Sequence, residues 1–342
     1  MVGCVIVRDG KIIGEGYHKR CGDLHAERNA LASVRGSAEG ATLFVTLEPC
    51  CHHGRTAPCT DAIIENRIAK VVIGSRDPNP KVSGKGVQIL RNAGIEVVTD
   101  FMKDECDRLN PVFFHYITTG LPYVTMKYAM TLDGKTATKT GASKWISGPC
   151  ALKEVHRMRH ANMGIMVGIG TVLSDNPLLT CRLPSGKNPV RIICDSKLRI
   201  PLESSLVNTA SDVKTIVVCA NNYDDKKKQS LERAGIGVLS LPGADGRVDL
   251  KALMKKLGSM EIDSILLEGG AGLNASALEA GIVNEIKAVI APRIFGGRAN
   301  SPVEGEGVEL PSQACSFTLR DVRRLGPDIL LTYVSEEKCL PE

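Results

Sequence analysis

Aromatic residues make up only 4% of the 342-residue chain, and tryptophan occurs once, as Trp145. That leaves little material for the stacking platforms on which single-stranded nucleic acids are held. A formal charge of +5 is modest. It suits a phosphorylated substrate and an anionic cofactor but forms no dense basic stripe of the kind that binds nucleic acid. No run of about 18 apolar residues occurs, so nothing in the sequence has the length of a membrane-spanning helix. The opening Met1-Val-Gly-Cys-Val-Ile-Val7 has no basic stretch ahead of its apolar run and no cleavage site, and reads as a strand rather than a secretion signal. Regular cysteine spacing is also missing: twelve cysteines are scattered along the chain, which fits reduced thiols in a cytosol better than a disulfide framework. No internal repeat or low-complexity tract is visible, and the charge run Asp224-Asp-Lys-Lys-Lys228 reads as a solvated helix face.

What is present is the composition of a globular protein, 43% apolar and 24% charged, long enough for two domains with separate cores. Residues 2–17 form a hairpin pattern around an Asp9-Gly10 turn. A helix is expected from His25 to Gly36, since Ala26, Ala30, Leu31 and Val34 recur at helical spacing. Strands at 42–47, 70–74 and 95–99 alternate with helices at 60–66 and 87–93, which implies a mixed or parallel sheet covered on both faces. Residues 101–110 look like one amphipathic connecting helix, and Thr118-Thr-Gly-Leu-Pro122 like a boundary; the break is placed near residue 120, giving domains 1–120 and 121–338. A second α/β pattern follows, with strands expected at 122–130, 165–169, 190–194, 215–219, 262–267 and 286–290 and helices near 150–160, 224–234, 249–257 and 273–280.

The chemistry concentrates between Glu48 and Cys59, together with His25-Ala26-Glu27. One imidazole and two thiolates, from His25, Cys50 and Cys59, can hold a Zn²⁺ ion and leave its fourth tetrahedral position open, the arrangement of catalytic rather than structural zinc. Glu27, two residues past the histidine, is then the proton carrier. His-x-Glu followed by Pro-Cys and a second Cys is the pattern of zinc-dependent deaminases, in which the Glu is acid and base and not a ligand. Here eight residues separate the two cysteines, a wider gap than the usual two. Cys51 and His53 are expected not to coordinate, because a neighbour of a ligand generally points elsewhere.

In the second half, Val167-Gly-Ile-Gly-Thr171 and Leu267-Glu-Gly-Gly-Ala-Gly-Leu-Asn274 are strand ends that run through glycine-rich turns into helices. Glycine lets backbone amides approach a phosphate, and a helix start supplies unpaired N–H groups. Neither is a Gly-x-Gly-x-x-Gly fingerprint, so tight strand-to-helix turns without a ligand are an equal reading of these stretches alone.

The run His25-Ala-Glu-Arg-Asn-Ala-Leu31, then Thr46-Leu-Glu-Pro-Cys-Cys-His-His-Gly-Arg-Thr-Ala-Pro-Cys59 and Arg76-Asp-Pro-Asn-Pro80, resembles the bifunctional deaminase/reductase family of riboflavin biosynthesis. The likeness continues through Met126-Lys-Tyr-Ala-Met-Thr-Leu-Asp-Gly-Lys135, Ser143-Lys-Trp-Ile-Ser147 and 167–180, nearly the whole chain. It implies a cytidine-deaminase-like three-layer domain followed by a dihydrofolate-reductase-like domain, both α/β, and a cytoplasmic enzyme using Zn²⁺ and NADPH. It also implies the reactions: hydrolytic deamination of 2,5-diamino-6-(5-phosphoribosylamino)pyrimidin-4(3H)-one, then reduction of the ribosyl group of 5-amino-6-(5-phosphoribosylamino)uracil to ribityl. By the same likeness His18, His52, Arg55, Asp77 and Asn79 contact the deaminase substrate. Ala129, Trp145, Thr171, Asp175 and the turn Gly270, Ala271, Gly272, Leu273, Asn274, Ala275 and Ser276 hold NADPH. Ser143, Arg159, Leu179, Arg182 and Glu268 hold the reductase substrate, with Arg159 and Arg182 able to grip a phosphate by forked hydrogen bonds. Lys127 and Asp133 match without an assigned role.

The partner expected is therefore a small phosphoribosylaminopyrimidine, not nucleic acid or membrane, and a homo-oligomer is expected. Two other readings stand beside it: a nucleobase or nucleoside deaminase with an unrelated C-terminal domain, and a zinc-stabilised nucleic-acid-binding module. Members of the family usually carry roughly two dozen further residues ahead of the first strand, including a helix and an Asn-Pro pair beside the deaminase substrate. The resemblance therefore leads to an expectation that deamination is impaired relative to reduction. Met163-Gly164 also stands where Asp-Ala is common.

Overall fold

A computed structural model describes residues 1–20, 22–52, 57–79, 83–221 and 223–336. The chain divides into two compact units, Met1–Thr119 and Gly120–Glu342, each taken by itself below.

The first unit contains β1 (Gly3–Arg8), β2 (Lys11–Tyr17), α1 (Ala26–Ser33), β3 (Thr42–Leu47), α2 (Cys59–Glu65), β4 (Lys70–Ser75), α3 (Lys85–Asn92), β5 (Glu96–Val98), α4 (Lys103–Asp107) and α5 (Pro111–Thr119). Its five strands run in the order β2-β1-β3-β4-β5, antiparallel around β1 and parallel from β3 to β5. Asp9 and Gly10 both take positive φ, 51° and 73°, the two-residue turn that matches the twist of a hairpin. Cys4, Ile6, Leu43, Val45, Val71 and Ile73 alternate onto one face and close a core with Ala26, Ala30, Ile63 and Leu90 from α1, α2 and α3. Helix α1 lies almost in contact with β2: a Cβ on Gly16 would come within 2.3 Å of the Ala30 nitrogen. On the other face α4 crosses β4, where a Cβ on Gly74 would meet Cys106 Sγ at 2.3 Å. Between β2 and α4 that face opens into a groove of about 870 Å³, lined by Val5, Phe44, Phe101 and Met102 among others.

The connecting helix expected over 101–110 is the shorter α4, and a further helix that the sequence reading did not include, α5, follows it. The cause is Pro111, which has no N–H for a continuing helix and pushes Asn110 out of the helical region, while suiting the first position of a new helix. The expected boundary stretch 118–122 begins in the last residues of α5, and the chain turns at Gly120, φ 69°, where the two units divide.

The second unit contains β6 (Tyr123–Thr131), α6 (Pro149–Ala161), β7 (Gly164–Gly168), α7 (Ile169–Asp175), β8 (Val190–Cys194), α8 (Ser205–Asn208), β9 (Thr215–Cys219), α9 (Asp225–Arg233), β10 (Gly237–Ser240), α10 (Leu250–Ser259), β11 (Ser264–Leu267), α11 (Ala271–Glu279), β12 (Glu285–Ala291), β13 (Phe317–Leu325) and β14 (Asp328–Ser335). The sheet order is β10-β9-β8-β7-β11-β6-β12-β14-β13, parallel up to β12 and antiparallel beyond it. Met126, Ile192, Val218 and Leu267 face α10 and α11, whereas Ile165, Val167, Ile193 and Val217 face α7, α8 and α9. Both faces are covered, as a parallel sheet requires. Helix α7, strand β10 and the closing hairpin β13–β14 extend the pattern expected from the sequence.

Candidate active sites

In the first unit three elements deliver the ligand set. His25 is the residue that precedes α1, Cys50 lies just past β3, and Cys59 opens α2. The Cys50 and Cys59 sulfurs each lie 3.4 Å from His25 Nδ1, and all three ligand atoms lie within 4.8 Å of one another. Bond lengths of zinc to nitrogen and sulfur imply a tetrahedral N···S edge of roughly 3.6 Å, so the spacing fits one such ion with its fourth position open. Helix α2 supports the arrangement through its first amides: Cys59 N–H donates to Cys50 Sγ at 3.3 Å, and the N–H groups of Cys59 and Thr60 reach Cys50 O at 3.1 and 3.2 Å. The hydrogen bond from Cys59 pushes the Cys50 thiol down to about 4 against its burial, with His25 adding to the effect. The same pairing with Cys50, then burial, pushes Cys59 up.

Glu27 occupies the first turn of α1 and is 3% exposed. Burial pushes its carboxyl up to about 7, where a group can both take and give a proton at neutral pH. His18 stands edge-on to His25, ring centroids 5.3 Å apart, with Nδ1 3.2 Å from Leu24 O. Asp77 is 8% exposed and accepts the Asn79 N–H at 2.8 Å; its pKa is raised by burial first, against that hydrogen bond, with the charge of Glu48 adding to the rise. The structure thus gathers His18, His25, Glu27, Cys50 and Cys59, with Asp77, Asn79 and the exposed His52 on the adjoining loops. Arg55 and His53 lie outside the described residues.

Side chains that the motif reading passed over hold these loops. Arg28 Nε and Nη2 donate to the carbonyls of Ala57 and Pro58 at 3.1 and 2.8 Å, just ahead of Cys59. Asn29 Nδ2 donates to Tyr17 O and Leu24 O at 2.9 and 3.0 Å, bracketing His18. Both belong to the same helical turn as Glu27. Their roles are side chain to backbone, which no residue spacing announces.

In the second unit the expected residues fall around two cavities at the carboxyl ends of the parallel strands, where open α/β sheets bind ligands. The first, about 420 Å³, is lined by Trp145, Arg159, Thr171, Asp175, Arg182 and Glu268 and also by Lys127 and His156. Arg159 Nε and Nη2 make a forked pair with Glu268 at 2.7 and 2.8 Å, while Nη1 holds Thr180 O at 3.0 Å. Trp145 is 60% exposed, so its ring is not core material. Leu179, with φ 53°, is 3% exposed, packs into the core and also lines this cavity.

The second cavity, about 790 Å³, is lined by Gly170, Thr171, Gly270, Ala271, Gly272 and Ser276 at one side and by Ser196, Lys197, Arg199 and Arg247 at the other. Thr171 borders both. Asn274 and Ala275 turn inward at 2% and 6% exposure, and Asn274 Nδ2 donates to Pro302 O at 2.8 Å. Ala129 packs beside Leu266 and Val289, and neither it nor the half-buried Ser143 lines these two cavities. Asp133 accepts the N–H groups of Phe295 and Gly296 at 3.1 and 2.7 Å, tying two loops. The basic cluster after β8 went unread in the sequence, although Asp195-Ser-Lys-Leu-Arg199 is a charged turn at the end of a buried strand.

Among the described residues no helix is long and apolar enough to cross a membrane. Residues 1–75 match the family model of the cytidine and deoxycytidylate deaminase zinc-binding region, and residues 122–331 that of the RibD C-terminal domain. The riboflavin biosynthesis protein RibD of Actinobacillus pleuropneumoniae is 53% identical over 335 residues, covering 98% of this chain and 89% of the relative. The RibD structure from Acinetobacter baumannii superposes with TM-score 0.84 at 38% identity, covering 98% of this chain and 92% of its own. A diaminohydroxyphosphoribosylaminopyrimidine deaminase/5-amino-6-(5-phosphoribosylamino)uracil reductase from Thermotoga maritima does so with TM-score 0.82 at 37% identity, covering 98% and 91%. A cytidine-deaminase-like unit carrying a His/Cys/Cys zinc site is thus joined to a dihydrofolate-reductase-like unit of the NADPH-using RibD type. The chain belongs to the RibD family, the bifunctional deaminase/reductases of riboflavin biosynthesis.

Proposed function

We propose that residues 1–120 deaminate 2,5-diamino-6-(5-phosphoribosylamino)pyrimidin-4(3H)-one and that residues 121–338 reduce the resulting 5-amino-6-(5-phosphoribosylamino)uracil to its ribityl form. The observation that carries the first half is the triangle of His25 Nδ1, Cys50 Sγ and Cys59 Sγ beside the buried Glu27 carboxyl. Bound there, zinc lowers the pKa of water enough for hydrolysis at neutral pH. Glu27 takes the water proton and passes it to the amino group that departs as ammonia. His18, His52, Asp77 and Asn79 orient the pyrimidine, and Arg55 is assigned to its phosphate.

In the second unit NADPH supplies hydride to the ribosyl carbon. Ala129, Trp145, Thr171, Asp175 and the turn from Gly270 to Ser276 hold the cofactor. The cations of Lys197, Arg199 and Arg247 at the far side of the same cavity favour an anionic dinucleotide. Ser143, Arg159, Leu179, Arg182 and Glu268 hold the substrate. The free cysteines suit a cytoplasmic enzyme, and a homo-oligomer is proposed, which light scattering would test.

The deciding experiment incubates the whole chain with the diaminopyrimidine, with and without NADPH, and identifies products by mass. Without NADPH the deaminated uracil accumulates; with it the ribityl compound appears. Release of ammonia with no NADPH-dependent product would instead favour a deaminase with an unrelated second domain. Removing the metal with a chelator should abolish deamination and leave reduction of supplied deaminated substrate unchanged, and a parallel loss would overturn the two-site assignment. Arg182→Ala should raise KM for the reductase substrate at least about tenfold, the scale of a lost charged hydrogen bond. KM for NADPH should change little, and equal weakening of both would mean that Arg182 is misassigned.

A further inference from the structure

One buried carboxylate beside the deaminase site belongs to neither the ligand set nor the proton path. Glu48 follows β3, two residues before Cys50, and is 3% exposed. Its Oε2 accepts the N–H of Asp77 at 3.3 Å and of Gly84 at 3.1 Å, and its Oε1 accepts the N–H of Val87 at 3.3 Å. These donors come from two neighbouring elements: Asp77 from the loop after β4, Gly84 and Val87 from the start of α3.

The residue preceding α3 is Gly84, with φ 79° and no side-chain cap of its own, so Glu48 provides the missing acceptors and a negative charge at the positive end of the helix. The fit is close. A Cβ on Gly86 would lie 2.4 Å from Pro49 O and 3.2 Å from Glu48 Oε1, so only glycine lets the first turn of α3 press onto this pair. Asp77, held through its backbone, uses its own carboxylate to accept the Asn79 N–H at 2.8 Å. A continuous chain therefore runs from Glu48 through Asp77 to Asn79.

We propose that Glu48 is a positioning residue for deamination: it fixes the Asp77–Asn79 loop against the pocket that recognises the pyrimidine, without touching metal or substrate. This rests on the assignment of Asp77 and Asn79 to the deaminase substrate made above. Replacing Glu48 by Gln keeps size but sets an amide donor against the backbone N–H on one side of the former carboxylate, and the loop shifts. The zinc ligands do not depend on those bonds, since Cys50 is held by Cys59 and His25.

The test uses the full chain and reads zinc content, deaminase KM and kcat, and reduction of supplied deaminated substrate. Glu48→Gln should keep about one zinc per chain and unchanged reduction while deaminase KM rises about tenfold, the scale of one buried N–H left without its acceptor, and kcat falls much less. Gly86→Ala, which pushes α3 off Glu48 while leaving the carboxylate in place, should give the same split. Because Glu48 acts through the loop that carries Asp77 and Asn79, the double variant Glu48→Gln/Asp77→Asn should lose less than the product of the two single losses. Loss of zinc in Glu48→Gln would make Glu48 a support of the metal loop and overturn the proposal, as would an unchanged KM or losses that multiply in the double variant. An unchanged KM in Asp77→Asn itself would instead remove the substrate assignment on which the proposal rests.

Discussion

Glu27→Gln is expected to abolish deamination by at least ~10²-fold, the lower end for removing a general acid–base, while the purified chain still carries about one zinc. The side chain is 3% exposed in the first turn of α1, so the amide occupies the same buried volume. Burial pushes the carboxyl up to about 7, which means that its ionised form is costly in this place and its replacement by a neutral isostere does not destabilise the unit. What is lost is the ability to move a proton between water and the departing amine. Cys59→Ser marks the contrast: it removes a ligand whose backbone N–H holds Cys50 and whose sulfur lies against His25, so metal and stability of the first unit should fall together. Metal analysis and ammonia release on both variants separate the roles. If Glu27→Gln loses its zinc, the residue is a ligand and the proton path assigned to it is wrong.

The metal site was legible because its chemistry is a spacing: His25, Glu27, Cys50 and Cys59 are four residues whose coincidence beside Pro49 means little else. The alternation of strands and helices was legible for the same reason, since Leu43, Val45, Val71 and Ile73 carry a period of two between helical periods. Other parts resist reading for identifiable causes. Helix α5 follows α4 after only three residues and opens on Pro111, so the helix expected over 101–110 is cut short and a second one begins where none was expected. Strand β13 is an edge strand with Arg320, Asp321, Arg323 and Arg324 in its middle and a register shift at Leu319–Asp321, so its alternation is broken in sequence although it pairs along β14. Glu48 gathers amides from residues 77, 84 and 87. Such bonds form between one side chain and a backbone that every residue possesses, and leave no mark on the sequence. The cations of the second cavity come from residues 197 and 199 on one loop and 247 on another, and meet only once β8 and α10 are in place.

Glu268→Gln should destabilise the second unit by about 3–5 kcal/mol at neutral pH, the cost of leaving a buried ion without its partner. The pair is well placed for so large an effect. The side chains of Arg159 and Glu268 are 13% and 10% exposed, and two parallel hydrogen bonds of 2.7 and 2.8 Å join them. Burial alone would raise the Glu268 carboxyl, but the hydrogen bonds and charge of Arg159, with Lys127 adding to them, hold it below the usual range. Lys127 loses an opposing charge as well, and its pKa is already lowered by burial. A carboxylate whose folded pKa is depressed contributes stability that is fully present above its unfolded pKa and is lost as pH falls through the folded value. The gap between native and variant should therefore be wide at pH ~7 and close progressively below pH ~4.3, the ordinary range for Glu. Trp145, the one tryptophan, lies in this unit beside the same cavity, so its fluorescence during urea unfolding reports on the second unit alone. Replacing both partners by apolar residues, as in Arg159→Met/Glu268→Leu, should cost less stability than Glu268→Gln, because the Arg159 charge is no longer left buried without its partner, yet should still lose the reductase substrate. Equal stability of Glu268→Gln and the native chain at pH ~7, or a gap that widens as the pH falls, would show that the pair does not hold this cavity together.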